Sequence, residues 1–139
     1  MLEELIEKCE DIAAMAVKKI LIVDDDWEFA EELKELLFLS GYEAVVINDS
    51  KDAFDAAFTL KPDTILLDIK MDGMDGFQVL EKLKQLPETA RIPVIAMTGY
   101  FTKEEHVRLI SVCGMDVCLK KPFNALDLIA RIEFPQRIR

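Results

Sequence analysis

Histidine is almost missing from this chain. His106 stands alone, with no cysteine or second histidine at ligand spacing, and it reads as a surface helix residue, not a metal ligand. The three cysteines, Cys9, Cys113 and Cys118, make an odd number with no CxxC pair, which fits reduced thiols in the cytoplasm. No apolar run approaches the roughly 20 residues of a membrane span. A signal peptide is equally unsupported, because Glu3, Glu4, Glu7 and Glu10 give the first residues the wrong charge for its n-region. Cations are in deficit: 17 Lys and Arg face 27 Asp and Glu, a net charge of −10. Nonspecific attraction to nucleic acid or anionic lipid is therefore not expected. Internal repeats and low-complexity tracts are absent too. What remains is one cytoplasmic domain of 139 residues, long enough to bury a core. Its acidity suits a cation, a basic partner surface, or solubility alone.

Two periodicities alternate along the sequence. Short runs rich in branched residues occur at ILIV (20–23), AVVI (44–47), TILL (64–67), VIAM (94–97) and, more weakly, VCL (117–119). Segments of helical spacing separate them. WEFAEELKELLFLSG puts Phe29, Leu33, Leu36 and Leu37 on one face and stops at Ser40-Gly41. SKDAFDAAFTL opens on Ser50 as a cap and repeats Ala53, Phe54, Ala57 and Phe58. GFQVLEKLKQL offers Phe77, Leu80 and Leu83, and TKEEHVRLISVCG runs from a Thr102–Glu105 capping box to Gly114. NALDLIARI starts at Asn124 and stops before Pro135. The pattern is five βα units. Strands that are apolar throughout belong to a parallel sheet covered on both faces, so the expected class is a doubly wound α/β fold.

Ahead of the first strand, residues 1–17 form a separate expected element. Leu2, Leu5, Ile6, Cys9, Ile12, Ala13 and Ala16 recur at helical spacing, giving an amphipathic extension before a domain at 18–139. Such a helix either docks on its own domain or joins a partner, including a second copy through residues 2–16.

The run ILIVDDDW, residues 20–27, poses the chemical question. Each pair of carboxylates at ~4 Å costs on the order of 4 kcal/mol at an effective dielectric near 20. In open parallel sheets, ligands bind beyond the carboxyl ends of the strands. There the first strand delivers Asp24, Asp25 and Asp26, the third Asp68, the fourth Thr98 and the fifth Lys121-Pro122. Asp26, just before a helical segment, reads as an N-cap. Neighbouring carboxylates from strands one and three make an oxygen-rich site suited to Mg²⁺. A metal, an aspartate nucleophile, a hydroxyl and a lysine are what phosphoryl transfer to a carboxylate requires.

These motifs, VDDD (23–26), LLDIKMDGMDGF (66–77), AMTG (96–99) and KKPF (120–123), resemble those of a response-regulator receiver domain of two-component signalling. The similarity covers about residues 18–133. It implies a five-stranded sheet in the order 2-1-3-4-5, phosphorylation of Asp68, and a donor that is a histidine kinase or histidine phosphotransfer protein. It also implies Mg²⁺ held by Asp25, Asp68 and the Lys70 backbone carbonyl, with Asp24 acting through a metal-bound water. Thr98 would hydrogen-bond the phosphoryl group, Lys121 would pair with it, and the Lys121-Pro122 bond would be cis. Lys70 and Tyr100 would look onto the site and govern how water reaches the acyl phosphate.

Three positions depart from the family pattern. Asp72 stands where proline is common, Gly99 where alanine is common, and Cys118 where the family has its switch aromatic. Cys118 has no ring to swing. The expected function is thus phosphoacceptor signalling rather than enzymatic turnover, with output through a protein partner, onward phosphoryl transfer or self-association, since nothing past residue 135 could form an output domain. A receiver-like interaction module without phospho-switching is the alternative. A haloacid-dehalogenase-like phosphatase fits less well, because that chemistry wants an aspartate two residues beyond the nucleophile and position 70 is lysine.

Overall fold

The computed structural model describes residues 1–7, 17–71, 76–99, 102–104, 107 and 118–134. Five parallel strands form one sheet: β1 (Lys19–Val23), β2 (Glu43–Ile47), β3 (Thr64–Asp68), β4 (Val94–Thr98) and β5 (Cys118–Lys120), in the order β2-β1-β3-β4-β5. Among the described residues, the helices between and after them are α1 (Trp27–Leu39), α2 (Ala53–Leu60), α3 (Gly76–Lys84), the single turn α4 (Pro87–Ala90) and α5 (Ala125–Glu133). The doubly wound α/β expectation and the strand order both hold.

Alternation within each strand feeds two cores. Leu21, Val23, Ile65, Leu67 and Ala96 face α2 and α3, where Ala53, Ala57, Phe77, Leu80 and Leu83 meet them. Ile20, Ile22, Leu66, Ile95 and Met97 face α1 and α5, against Ala30, Leu33, Leu37, Leu128 and Ile132. Each of the larger side chains among them (Val, Leu, Ile, Met, Phe), taken from water, contributes roughly 1.5–3 kcal/mol. β3 and β4 are buried along their whole length, as their continuous apolar runs foretold. β2 is not: Val45 stays 38% exposed because the strand lies at the sheet edge, with a neighbour on one side only.

Caps set the helix starts. Asp26 accepts from the Phe29 N–H at 3.1 Å and Asn124 from the Asp127 N–H at 2.8 Å, both as the sequence indicated. At the second helix the cap differs. Asp49 accepts from the Lys51 N–H, while Ser50 lies inside a short 3₁₀ turn (Ser50–Asp52) with its hydroxyl buried and unpartnered. Aspartate one residue earlier, with two acceptor oxygens, takes the role expected of the serine. Phe58, expected on the apolar face, remains 43% exposed and stacks on Phe54. α1 ends at Ser40, and Gly41 takes φ +92°, which glycine adopts without strain.

At the amino end residues 2–7 are helical, with Leu2, Leu5 and Ile6 exposed. Cys9, Ile12, Ala13 and Ala16 of the expected extension lie outside the described residues, as do Asp72, Tyr100, Glu105, His106, Cys113, Gly114, Val117 and Pro135. Of the expected helix at 102–114, residues 103, 104 and 107 are described and helical.

Gly76 fixes how closely α3 approaches the end of β3. Its N–H donates to the Ile69 carbonyl at 3.0 Å. A Cβ there would sit 2.5 Å from Ile69 Cα and 2.6 Å from the Asp68 carbonyl oxygen, both rigid backbone. Gly76→Ala is therefore expected to lower stability by about 1–3 kcal/mol, read as a lower urea midpoint at unchanged slope. An unchanged midpoint would show that the backbone after Asp68 yields freely.

Candidate functional site

The register of the central strands brings the acidic residues together. Val23 pairs with Leu67, so Asp24 and Asp68, the next residue of each, emerge side by side at the carboxyl edge of the sheet. Asp24 is fully buried and Asp68 is 6% exposed, whereas Asp25 turns outward to solvent. One carboxylate oxygen from each of Asp24, Asp25 and Asp68 lies within 4.8 Å of the others. Asp26, the fourth acidic position, points away and caps α1.

Each buried carboxylate has fixed donors. One oxygen of Asp24 accepts the Asp26 N–H at 3.0 Å, and the other accepts Lys121 Nζ at 2.7 Å. The Asp24 backbone is tied to β2: its N–H donates to the Ile47 carbonyl at 3.1 Å and its carbonyl accepts Asn48 Nδ2 at 3.4 Å. Asp68 Oδ1 accepts the Lys70 N–H at 2.9 Å, while Oδ2 lies 3.4 Å from Lys121 Nζ. Burial, then the charge of Asp24 beside it, push the Asp68 carboxyl up to about 6; the Lys70 N–H and Lys121 act in the opposite direction. Ion pairing with Lys121 thus offsets only part of the strain of the acidic pair.

Thr98 closes β4 and is buried, and its carbonyl accepts the Lys121 N–H at 2.7 Å. This bond sets the depth at which the β5–α5 loop starts. The Lys121-Pro122 peptide is cis, as the motif implied. Lys70 places its side chain in solvent and contributes its backbone N–H. The structure therefore assembles Asp24, Asp25, Asp68 and Lys121 in one cluster, with Thr98 at the adjoining strand end and Lys70 on the rim.

Three further residues, Phe29, Phe123 and Asn48, meet the cluster without a signal in linear spacing. Phe29 lies with its ring centroid 4.1 Å from Lys121 Nζ, and Phe123 packs edge-on to Phe29 with centroids 5.9 Å apart. Asn48, the residue after β2, anchors the Asp24 carbonyl. Neither pairing leaves a mark in linear spacing, because Phe29 and Lys121 are joined only by the fold.

Chemically, the cluster offers hard anionic oxygens and no soft ligand, a donor set that fits a small divalent cation such as Mg²⁺. The Lys121 ammonium sets one positive charge between two of these carboxylates.

Comparison with known proteins agrees with this chemistry. Residues 20–133 match the family of the response regulator receiver domain. The transcriptional regulatory protein CpxR of Escherichia coli K12 is 38% identical over 116 residues, which are 84% of this chain and 48% of that protein. The chain spans about half the length of the curated relatives it matches. Among solved structures, the receiver domain of a DNA-binding response regulator from Colwellia psychrerythraea 34H is 38% identical with a TM-score of 0.74, covering 84% of this chain and 95% of that one. A CheY-like receiver domain protein from Methanospirillum hungatei JF-1 is 31% identical with a TM-score of 0.79, covering 86% and 94%.

The raised carboxyl gives a test by linkage. A group that holds its proton more tightly when folded disfavours the native state once ionised, so the penalty is present above about pH 6 and fades as pH falls through that value toward the ordinary carboxylate range. Without divalent cations, Asp68→Asn is expected to stabilise the protein by on the order of 2 kcal/mol at pH ~7.5 and by little near pH ~4. Thermal melts at both pH values check it; destabilisation by Asp68→Asn at pH ~7.5 would contradict it.

Proposed function

The chain belongs to the response regulator receiver family, and from that membership we propose that Asp68 is its phosphoacceptor, served by Thr98 and Lys121. Receiver domains are phosphoacceptor signalling domains that interact with histidine kinases and bind Mg²⁺ in an acidic site. The convergence of Asp24, Asp25, Asp68 and Lys121 at one sheet edge is the observation that carries the reading to these residues.

Asp25 and Asp68, with the Lys70 carbonyl, would hold the Mg²⁺ directly, and Asp24 through water. When bound, the cation supplies positive charge where carboxylates and phosphoryl oxygens crowd together. The remaining work falls to the chain itself. A carboxyl at about 6 is mostly ionised at neutral pH, so an Asp68 oxygen can attack phosphorus. The bond from phosphorus to the donor imidazole breaks, its electron pair leaves with the imidazole nitrogen, and Asp68 becomes an acyl phosphate. The Lys121 ammonium, already between the two carboxylates, receives a phosphoryl oxygen. The Thr98 hydroxyl hydrogen-bonds another from the end of β4.

Cys118, half-buried at the start of β5, replaces the aromatic ring that relays the signal in the family. Signalling here would run through the Thr98–Lys121 contact between β4 and β5 instead, shifting the face that a partner reads. The output would be binding of a downstream protein or onward phosphoryl transfer in the cytoplasm. Leu2, Leu5 and Ile6, exposed on one short helix, would support self-association through residues 2–16.

Incubation with Mg²⁺ and a small acyl phosphate, followed by intact mass, tests this. Wild type is expected to gain one phosphoryl group, and Asp68→Asn none. Lys121→Ala should slow the gain at least ~10-fold, and chelation of the metal should stop it. No gain in wild type would favour an interaction module without phospho-switching. Steady hydrolysis of unrelated phosphate esters would favour a phosphatase.

A further inference from the structure

We infer that Phe29 is a positioning residue for Lys121: its ring, braced by Phe123, fixes the ammonium over the gap between Asp24 and Asp68. The inference rests on the phosphoacceptor reading for its kinetic consequence, but its geometry stands apart from it.

A lysine ammonium has three hydrogens and no fixed fork, so carboxylates alone leave it free to rotate about its stem. Here Nζ meets Asp24 at 2.7 Å, Asp68 at 3.4 Å and the Phe29 ring at 4.1 Å from its centroid. An ammonium at that distance is attracted to the negative face of the ring, most strongly where water is excluded, and the Lys121 side chain is 19% exposed. Phe29 is itself held on two sides. Its N–H is capped by Asp26 at 3.1 Å, and its ring meets Phe123 at an interplanar angle of 89°. Phe123 is two residues beyond Lys121, so the loop that carries the ammonium also carries the brace for the ring opposite it.

These contacts close a circuit. Asp24 accepts the Asp26 N–H, Asp26 accepts the Phe29 N–H, Phe29 faces Lys121, and Lys121 donates back to Asp24. Aspartate at three successive positions is therefore used around one ring: Asp24 as anchor, Asp25 on the solvent side, and Asp26 as the cap that sets Phe29. Lys121 lies closer to Asp24 than to Asp68. Once Asp68 is phosphorylated the ammonium has to shift toward the new oxygens, and the ring keeps it in the dry side of the cleft while it does so. A leucine would cover the lysine stem equally well without a negative face to hold the charge.

The test compares wild type, Phe29→Leu and Phe29→Tyr, each with Lys121 and with Lys121→Met. In the unphosphorylated protein, ring current should shift the Lys121 ε-methylene protons upfield in wild type and Phe29→Tyr, and Phe29→Leu should return them toward the ordinary lysine position. With acyl phosphate and saturating Mg²⁺, Phe29→Leu should lower the maximal phosphorylation rate about 3- to 10-fold. The donor concentration at half-maximal rate should stay the same, and Phe29→Tyr should match wild type. In the Lys121→Met background Phe29→Leu should have no further effect. Unchanged ε-proton shifts in Phe29→Leu, equal rates for Phe29→Leu and wild type, or an equal loss in both backgrounds would each overturn the inference. A wild type that takes no phosphoryl group would instead refute the phosphoacceptor reading, and the proton shifts would still decide the role of Phe29.

Discussion

Asp24 and Asp68 stand next to each other at the carboxyl edge of a buried sheet, and the ammonium of Lys121, 2.7 Å from one and 3.4 Å from the other, is what makes that arrangement tenable. Desolvation and mutual repulsion both act against two ionised carboxylates in such a place. One lysine relieves the pair incompletely, and Asp68 keeps a carboxyl raised to about 6 as the sign of what is left over. A third carboxylate, Asp25, adds to the excess from the solvent side. The residual negative charge is a standing preference for a cation.

Much of the fold can be read as keeping this cluster in register. Parallel pairing of β1 with β3 sets Asp24 beside Asp68, and pairing of β4 with β5 brings Thr98 to the base of Lys121. The close approach of Gly76 to the Asp68–Ile69 backbone ties the start of α3 to the end of β3. The cap of α1 descends from the same acidic run, so helix initiation and charge placement share consecutive residues. Each device is local, and together they leave the carboxylates little freedom to separate.

The sequence made the sheet and most of the site legible for a specific reason. Strands that end in chemically complementary residues announce a site without any three-dimensional information, since open parallel sheets gather their carboxyl ends. On that argument Asp24, Asp25, Asp68 and Lys121 are expected at one edge of the sheet, and their side chains come together there. Its failures share a different origin. Exposure of β2 depends on strand order, the competition between Asp49 and Ser50 for a cap depends on local geometry, and the one-turn helix α4 is too short to show a period. Phe29 reads as an ordinary core position of an amphipathic helix, because its partner Lys121 lies in the loop after β5, far away along the chain.

The central claim is that unrelieved carboxylate charge makes the site a divalent-cation site. Melting temperature at neutral pH, with and without millimolar Mg²⁺, tests it most directly in wild type and Asp25→Ala. Binding to the native state alone raises stability by mass action, so Mg²⁺ should raise the wild-type midpoint. The rise should shrink as pH falls below about 6, where Asp68 is protonated, and should be lost in Asp25→Ala. A wild-type midpoint unmoved by Mg²⁺ at neutral pH would contradict the claim.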